Sequence, residues 1–258
     1  MPKTFWEHLD ELRGVLIRCL VVWAVCATVM FCFRDVLFGL LFLPSQPDFI
    51  LYRALCRLSE LTGWSALCPP DFTPLFINTQ LAAQFTTHLQ VAAIAGLILS
   101  FPYLIWQIYG FIAPALYHKE KRIAGLIMSF GTLLFLCGII LNYLIIFPFA
   151  FRFLSTYQVQ PEVVNQIALN SYISTLLILS LMMGLLFEMP LVVWALGRAG
   201  LLTADTLRRY RRHAVVVLCI IAAVITPTGD AFTLLLVTLP LYLLYEISIL
   251  IIPNSTSQ

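Results

Sequence analysis

Glu120 stands in "LYHKEKR" between His118, Lys119, Lys121 and Arg122, directly after the proline-stiffened apolar run "GFIAPA". A carboxylate in that position has two uses. It can pair with its basic neighbours, an exposed arrangement worth about 0 to 1 kcal/mol. Or it can present a partly desolvated anion to a guanidinium from another molecule, a geometry suited to bidentate hydrogen bonding. A second acidic site lies near the amino end, where Asp10 and Glu11 sit in "FWEHLDELRGVLIR". There His8, Glu11 and Leu12 share one helical face at spacings of three and four, and Phe5, Trp6 and Leu9 supply an interfacial apolar side. Residue types and spacing alone do not choose between the two uses.

Two further carboxylates fall within apolar runs, where a charge costs about 2.5 to 3.5 kcal/mol on insertion scales and marks function by default. Glu188, in "GLLFEMP", precedes Pro190, which removes a backbone donor and can kink a helix. It reads as a docking point for a polar group on a partner helix, as a proton relay, or as an acid hydrogen-bonded inside the bundle. Glu246, in "LPLYLLYEISIL", is expected close enough to a membrane boundary to be solvated. Asp230, in "TPTGDAFT", fits a turn followed by a helix N-cap, which is structure enough to explain it.

The elements that must position these groups are membrane spans. The 258 residues are 61% hydrophobic and 11% charged, with a mean hydropathy of +0.94, too little polar surface to wrap a soluble globule. Spans are expected at about 15–38, 81–107, 123–149, 171–197, 214–227 and 232–252, in one domain covering 1–258. The fifth is short: Ala214 to Ile225 is an uninterrupted apolar run of roughly 18 Å as a helix, so the bilayer must thin there or draw in a polar flank. No apolar segment with a cleavage site precedes the first span, which is expected to direct insertion itself.

Charge sets the orientation. With the amino end in the cytoplasm, the inner side holds Lys3, Arg13, Arg18, Lys119, Lys121, Arg122, Arg198, Arg208, Arg209, Arg211 and Arg212, against Arg34, Arg53, Arg57 and Arg152 outside. That is the asymmetry of the positive-inside rule, and six spans return the carboxyl end to the cytoplasm. These basic residues are divided among short loops, so no nucleic-acid surface is expected.

In the long outer segment, "FILYRALCRLSEL" places Leu51, Leu55, Leu58 and Leu61 on one face of a short amphipathic helix, lying on the outer surface or capping the bundle. Cys56 and Cys68 belong to this segment, where an oxidising compartment permits a disulfide; whether they pair is left open by spacing alone. The other cysteines, Cys19, Cys26, Cys32, Cys137 and Cys219, fall within spans and behave as small hydrophobes. With no CxxC and four scattered histidines, neither a metal centre nor a cofactor is expected.

The motifs "HLDELR" (His8 to Arg13), "FPYLIWQIYGFIAPALYHKEKR" (Phe101 to Arg122), "LFEMP" (Leu186 to Pro190), "ADTLRRYRRHAVVV" from Ala204, and "ITPTGDAF" followed by "LPLYLLYEI" resemble, in order, those of the TatC family, the six-span receptor component of the twin-arginine protein translocase. The resemblance covers nearly the whole chain. It implies an all-α polytopic fold, a concave glove-shaped bundle with its last two spans short. It also implies binding of the twin-arginine signal peptide of folded cargo at the cytoplasmic face of a bacterial plasma membrane, by a complex driven by the proton gradient. Transferred by motif, Glu120 and Glu11 take the arginines, Phe111 shapes the site, Arg13 holds the amino-terminal segment, and His8 joins them in the signal-peptide-binding set. Glu188 becomes the intramembrane polar site near single-span TatA- or TatB-like partners, and further copies of the chain join the receptor complex. Asp230 and Glu246 are expected to make structural or partner contacts. The outer segment, 44–79, is longer than in compact members, and "TPTGD" differs from the commoner Thr-Pro-Pro-Asp turn.

A reading of another class is a proton-coupled small-molecule transporter with Glu188 as its relay. It requires paired broken helices in internal repeats, and the sequence shows no convincing repeat. A membrane enzyme would need a nucleophile or metal cluster at a membrane boundary, and the sequence offers neither.

Overall fold

The computed structural model describes residues 5–63, 68, 74–116, 121–160, 165–198, 200–226 and 229–252, with the side chains of residues 5, 7, 8, 112–116 and 121–128 outside the description. The described chain is almost wholly helical. In chain order the elements are α1 (Phe5–Cys32), α2 (Arg34–Phe42), α3 (Ile50–Thr62), β1 (Phe76–Ile77), α4 (Ala83–Leu116), α5 (Lys121–Leu141) and α6 (Phe147–Thr156). There follow β2 (Ile167–Ala168), α7 (Leu169–Phe187), α8 (Met189–Arg198), α9 (Ala204–Arg209), α10 (Arg211–Ile225) and α11 (Ala231–Ile251).

Five segments among the described residues are long and apolar enough to cross a membrane: Leu9–Cys32, Ala83–Phe111, Ser129–Thr156, Leu169–Arg198 and Ala231–Ile251. The 15-residue α10 is shorter than these, spanning roughly 22 Å. The helix breaks differ from the boundaries expected of the sequence, each for a local reason. The first span was expected to continue to residue 38, but helix α1 ends at Cys32 because Phe33 leaves the helical region (φ −96°, ψ 38°). The charged pair Arg34 and Asp35, joined at 3.3 Å, then begins α2 in water-accessible surroundings. The second helix runs nine residues past the expected 107, to Leu116, so the "GFIAPA" run is the end of α4 and not a loop.

The third span changes pitch. Residues Asn142–Ile146 form a π-helical turn between α5 and α6. Pro148, just inside α6, explains it: proline has no N–H to donate, and its ring would crowd the Leu144 carbonyl in an ordinary α-turn. The wider turn leaves Asn142 fully buried, its amide donating to Ser180 Oγ of α7 at 2.9 Å. The fourth span also breaks, at Glu188, which caps α7 with its N–H directed to the Leu185 carbonyl (3.1 Å).

Two close helix pairs set the architecture. Helices α1 and α4 pack antiparallel, with Trp23 Nε1 donating to the Ala93 carbonyl (2.9 Å) and Phe31 stacked on His88 at 4.0 Å. The seam is close because Gly96 has no side chain: a Cβ there would lie 2.5 Å from the Cα and N of Ala27. Small residues that let backbones approach are the usual basis of helix association in lipid, where burial of apolar surface gives no driving force. The outward face of α1 stays open, with Leu16, Leu20 and Val25 more than half exposed.

The second pair, α5 and α7, forms the centre. A Cβ on Gly138 would meet the Met183 carbonyl oxygen at 2.5 Å, and one on Gly184 would meet the Phe135 ring at 2.7 Å. Phe135 is fully buried and stacks on Phe101 of α4, while Leu179, Met183, Val237 and Leu241 carry the core into α11. At the end of the bundle away from the termini, Tyr172 donates to the Leu41 carbonyl at 2.8 Å, and Tyr143 to Leu40 at 2.6 Å. These bonds anchor α2 across α7 and the π-helical turn. A two-residue parallel pairing, Phe76 with Ile167 and Ile77 with Ala168, is a small β addition to the expected all-α fold.

Candidate functional site

The antiparallel seam of α1 and α4 decides what meets at the end of the bundle near the chain's amino end. Ala27 lies opposite Gly96 and Phe31 opposite His88. Carried about four turns toward the amino end, that register sets Glu11 level with residues about 108–112 of α4. Glu11 and Phe111 are both half-buried, and Arg13 is exposed. Glu120, the carboxylate in the motif that follows Phe111, lies outside the described residues, as does the side chain of His8.

The same end gathers charge from the last helices. Arg211, opening α10, pairs with Glu246 of α11 at 2.7 Å, and Tyr242 donates to the other carboxylate oxygen at 2.9 Å. Glu246, expected to be solvated, is only 29% exposed and satisfied by these two partners. Tyr245 donates to the Leu207 carbonyl at 2.7 Å, tying the short α9 to the same helix. Because the pair remains partly hydrated, reversal to Arg211→Glu will lower stability by about 1 kcal/mol. The double reversal with Glu246→Arg will recover at least half of the loss, read as the midpoint of thermal aggregation in detergent. Equal losses in the single and double variants would show that the pair contributes nothing.

Glu188 occupies the interior. It lies at the α7–α8 break, about ten residues and roughly 15 Å from the end of α8. Its Oε2 sits over Gly131 of α5, 3.2 Å from where a Cβ would be, beside Ile105 of α4 and Leu191. Its Oε1 is buried and has no hydrogen-bond partner among the described residues. A carboxyl with an unmet oxygen costs more in apolar surroundings than one fully paired, so it is poised to accept a donor. Neither Gly131 nor the Asn142–Ser180 pair was singled out from the sequence. A lone asparagine within the apolar run "GIILNYLII" is the available signal.

Asp230 behaves as its motif suggests: its Oδ1 accepts from the Thr233 N–H at 2.7 Å, capping α11. Cys56 and Cys68 are joined in a disulfide that closes the segment after α3. Among the described residues no group of three or more His, Cys, Asp or Glu could hold a metal.

A polytopic helical bundle with acidic groups at one end and an under-satisfied carboxyl in its interior defines a membrane protein built around helix contacts. The comparisons give the family. The family model for Sec-independent protein translocase protein (TatC) matches residues 7–240. TatC of Blattabacterium sp. subsp. Periplaneta americana is 35% identical over 250 residues, covering 96% of this chain and 94% of that protein. TatCy of Bacillus subtilis is 39% identical over 245 residues, covering 95% and 87%. The crystal structure of the twin-arginine translocase receptor TatC in DDM superposes with a TM-score of 0.78 at 29% identity, covering 96% of this chain and 100% of that one. The chain belongs to the TatC family of Sec-independent protein translocase components.

Proposed function

We propose that this chain is the signal-peptide receptor of a twin-arginine translocase: it binds the twin-arginine motif of folded cargo at the cytoplasmic face and recruits single-span TatA- or TatB-like partners for export driven by the proton gradient. Both termini face the cytoplasm of a bacterial plasma membrane, in keeping with the distribution of Lys and Arg. The observation that carries the reading is the α1–α4 register, which supports Glu11 and Phe111 at one level, immediately before the Glu120 motif. Two arginines keep their charge at any cellular pH, so a receptor needs fixed anions. Carboxylates at interfacial depth limit desolvation while the peptide's apolar stretch enters the bundle. Arg13 steadies the amino-terminal segment, His8 lines the peptide site beside Glu11, and Lys119, Lys121 and Arg122 orient the peptide around Glu120. Glu188, with its unmet oxygen, accepts a polar donor from a partner's span.

The test is photocrosslinking of a signal peptide to the protein in membranes. An Arg-Arg peptide will crosslink at least tenfold more than a Lys-Lys peptide, and Glu120→Gln will remove the difference. Crosslinking indifferent to both changes would return Glu120 to a surface ion pair and leave the transporter reading to be tested through Glu188.

A further inference from the structure

Helix α3 has two apolar faces. Of the leucine face expected from the sequence, Leu51 and Leu55 are half-buried and Leu58 and Leu61 exposed, so it does not form the buried face. Tyr52 and Ser59 are buried instead, and the helix ends at Gly63, whose left-handed φ of 71° suits a residue without Cβ. Tyr52 fixes the depth of the helix: its hydroxyl donates to the Pro148 carbonyl of α6 at 3.0 Å, and its ring lies 5.0 Å beneath the Arg152 guanidinium. Burial pushes the Tyr52 phenol up to about 12, with Arg152 acting in the opposite sense, so it remains a donor at every physiological pH.

Opposite this packed face, Ile50, Leu58 and Leu61 are 58, 46 and 80% exposed, with exposed Ala54 between them. At 100° per residue the four lie within one quadrant of the helix. Arg53 and Arg57, also exposed, follow along its flank at a spacing of four.

The anchoring contacts give the level of this stripe. Arg152 is the first charged residue after the uncharged run 123–151 of the third span, so it stands where that span leaves the hydrocarbon. Pro148 lies one helical turn, roughly 6 Å, deeper. Contacts to both residues hold Tyr52 at the hydrocarbon boundary. An apolar stripe with flanking arginines at that depth matches an interfacial helix, whose apolar face enters about 5 to 10 Å. Of the basic residues at this end, Arg34 pairs with Asp35, and Arg53 and Arg57 lie exposed on α3.

We infer that α3 is a lipid-docking helix: its Ile50, Ala54, Leu58 and Leu61 stripe enters the acyl boundary of the leaflet at this end, and Arg53 and Arg57 bind the phosphodiester of an anionic phospholipid. A guanidinium accepts such a phosphate in bidentate geometry, and each basic group near an anionic surface adds about 1 kcal/mol of attraction. The disulfide to Cys68 starts from Cys56, which at 100° per residue lies on the side of the helix away from the stripe.

The full chain is reconstituted in nanodiscs of phosphatidylcholine alone or with about one third phosphatidylglycerol. A trace of phosphatidylglycerol with a diazirine near the headgroup end of one acyl chain is photolysed, and labelled peptides are mapped by mass spectrometry. Peptide 50–62 will carry the adduct, at least threefold enriched over the same probe chemistry on phosphatidylcholine. Arg53→Gln with Arg57→Gln will abolish the enrichment while keeping some labelling, and Leu58→Ser with Leu61→Ser will reduce labelling with both lipids. Thermal midpoints unchanged in all variants exclude unfolding as the cause. Labelling equal for the two headgroups overturns the inference, as does an unlabelled 50–62 that reacts with a water-soluble carbene, which would assign the stripe to a protein partner.

Discussion

Gly138→Val will destabilise the protein by about 3 kcal/mol, the upper end of the usual range for overpacking a close-packed interior. A Cβ at this position lies 2.5 Å from the Met183 carbonyl oxygen, and a carbonyl fixed in α7 cannot move aside as a side chain would. The neighbouring wall is equally fixed, since Phe135 is fully buried and stacked on Phe101. Separation of α5 from α7 is the remaining response. It would open the centre of the bundle and displace Glu188 from its seat over Gly131. The measurement is the temperature at which half the detergent-solubilised protein leaves the monodisperse peak. Gly39→Ala is the control, because a Cβ there has nothing within 4 Å, and in a helix it gains about 0.5 to 1 kcal/mol. A Gly138→Val protein as stable as Gly39→Ala would show that the α5–α7 seam yields easily.

Gly96→Val will act differently, lowering signal-peptide crosslinking at least tenfold while leaving most of the fold intact. The atoms that a Cβ would meet are the Cα and N of Ala27, so α1 must shift as a body. That helix is held chiefly along α4, and its outward face is exposed, so its displacement disturbs little of the core in α5, α7 and α11. What it does disturb is the register that sets Glu11 level with Phe111. A stability loss under about 1 kcal/mol with a large binding loss is the expected pattern. Normal crosslinking in Gly96→Val would detach the receptor reading from the α1–α4 seam.

These two glycines show where sequence reading stops. Both sit in apolar runs that any span assignment accepts, and neither spacing nor composition distinguishes them from exposed Gly39. Their importance comes from a backbone on another helix, at a separation of tens of residues in sequence. The same holds for the π-helical turn at Asn142: Pro148 announces a disturbance, but the partner that makes the polar group tolerable is Ser180 of α7. Helix α3 is a sharper case. Periodicity correctly marks an amphipathic helix, yet Leu58 and Leu61 of its leucine stripe lie outward and the buried face belongs to Tyr52, because the carbonyl of Pro148 gives the phenol a partner that leucine could not use.

Composition and charge by themselves determined that this chain is a polytopic membrane protein, roughly where its spans fall, and which carboxylates are out of place. Hydrocarbon admits only segments that satisfy their own backbone, so length and apolarity suffice for that much. The ordered motifs carried the family. The tertiary structure alone decided that the first span ends at Phe33, that α1 attaches along one glycine seam, and that Glu246 is paired while an oxygen of Glu188 is not. Each of these depends on which helix faces which, and in lipid that choice rests on close fit and single polar contacts, which a hydrophobic pattern common to every span does not encode.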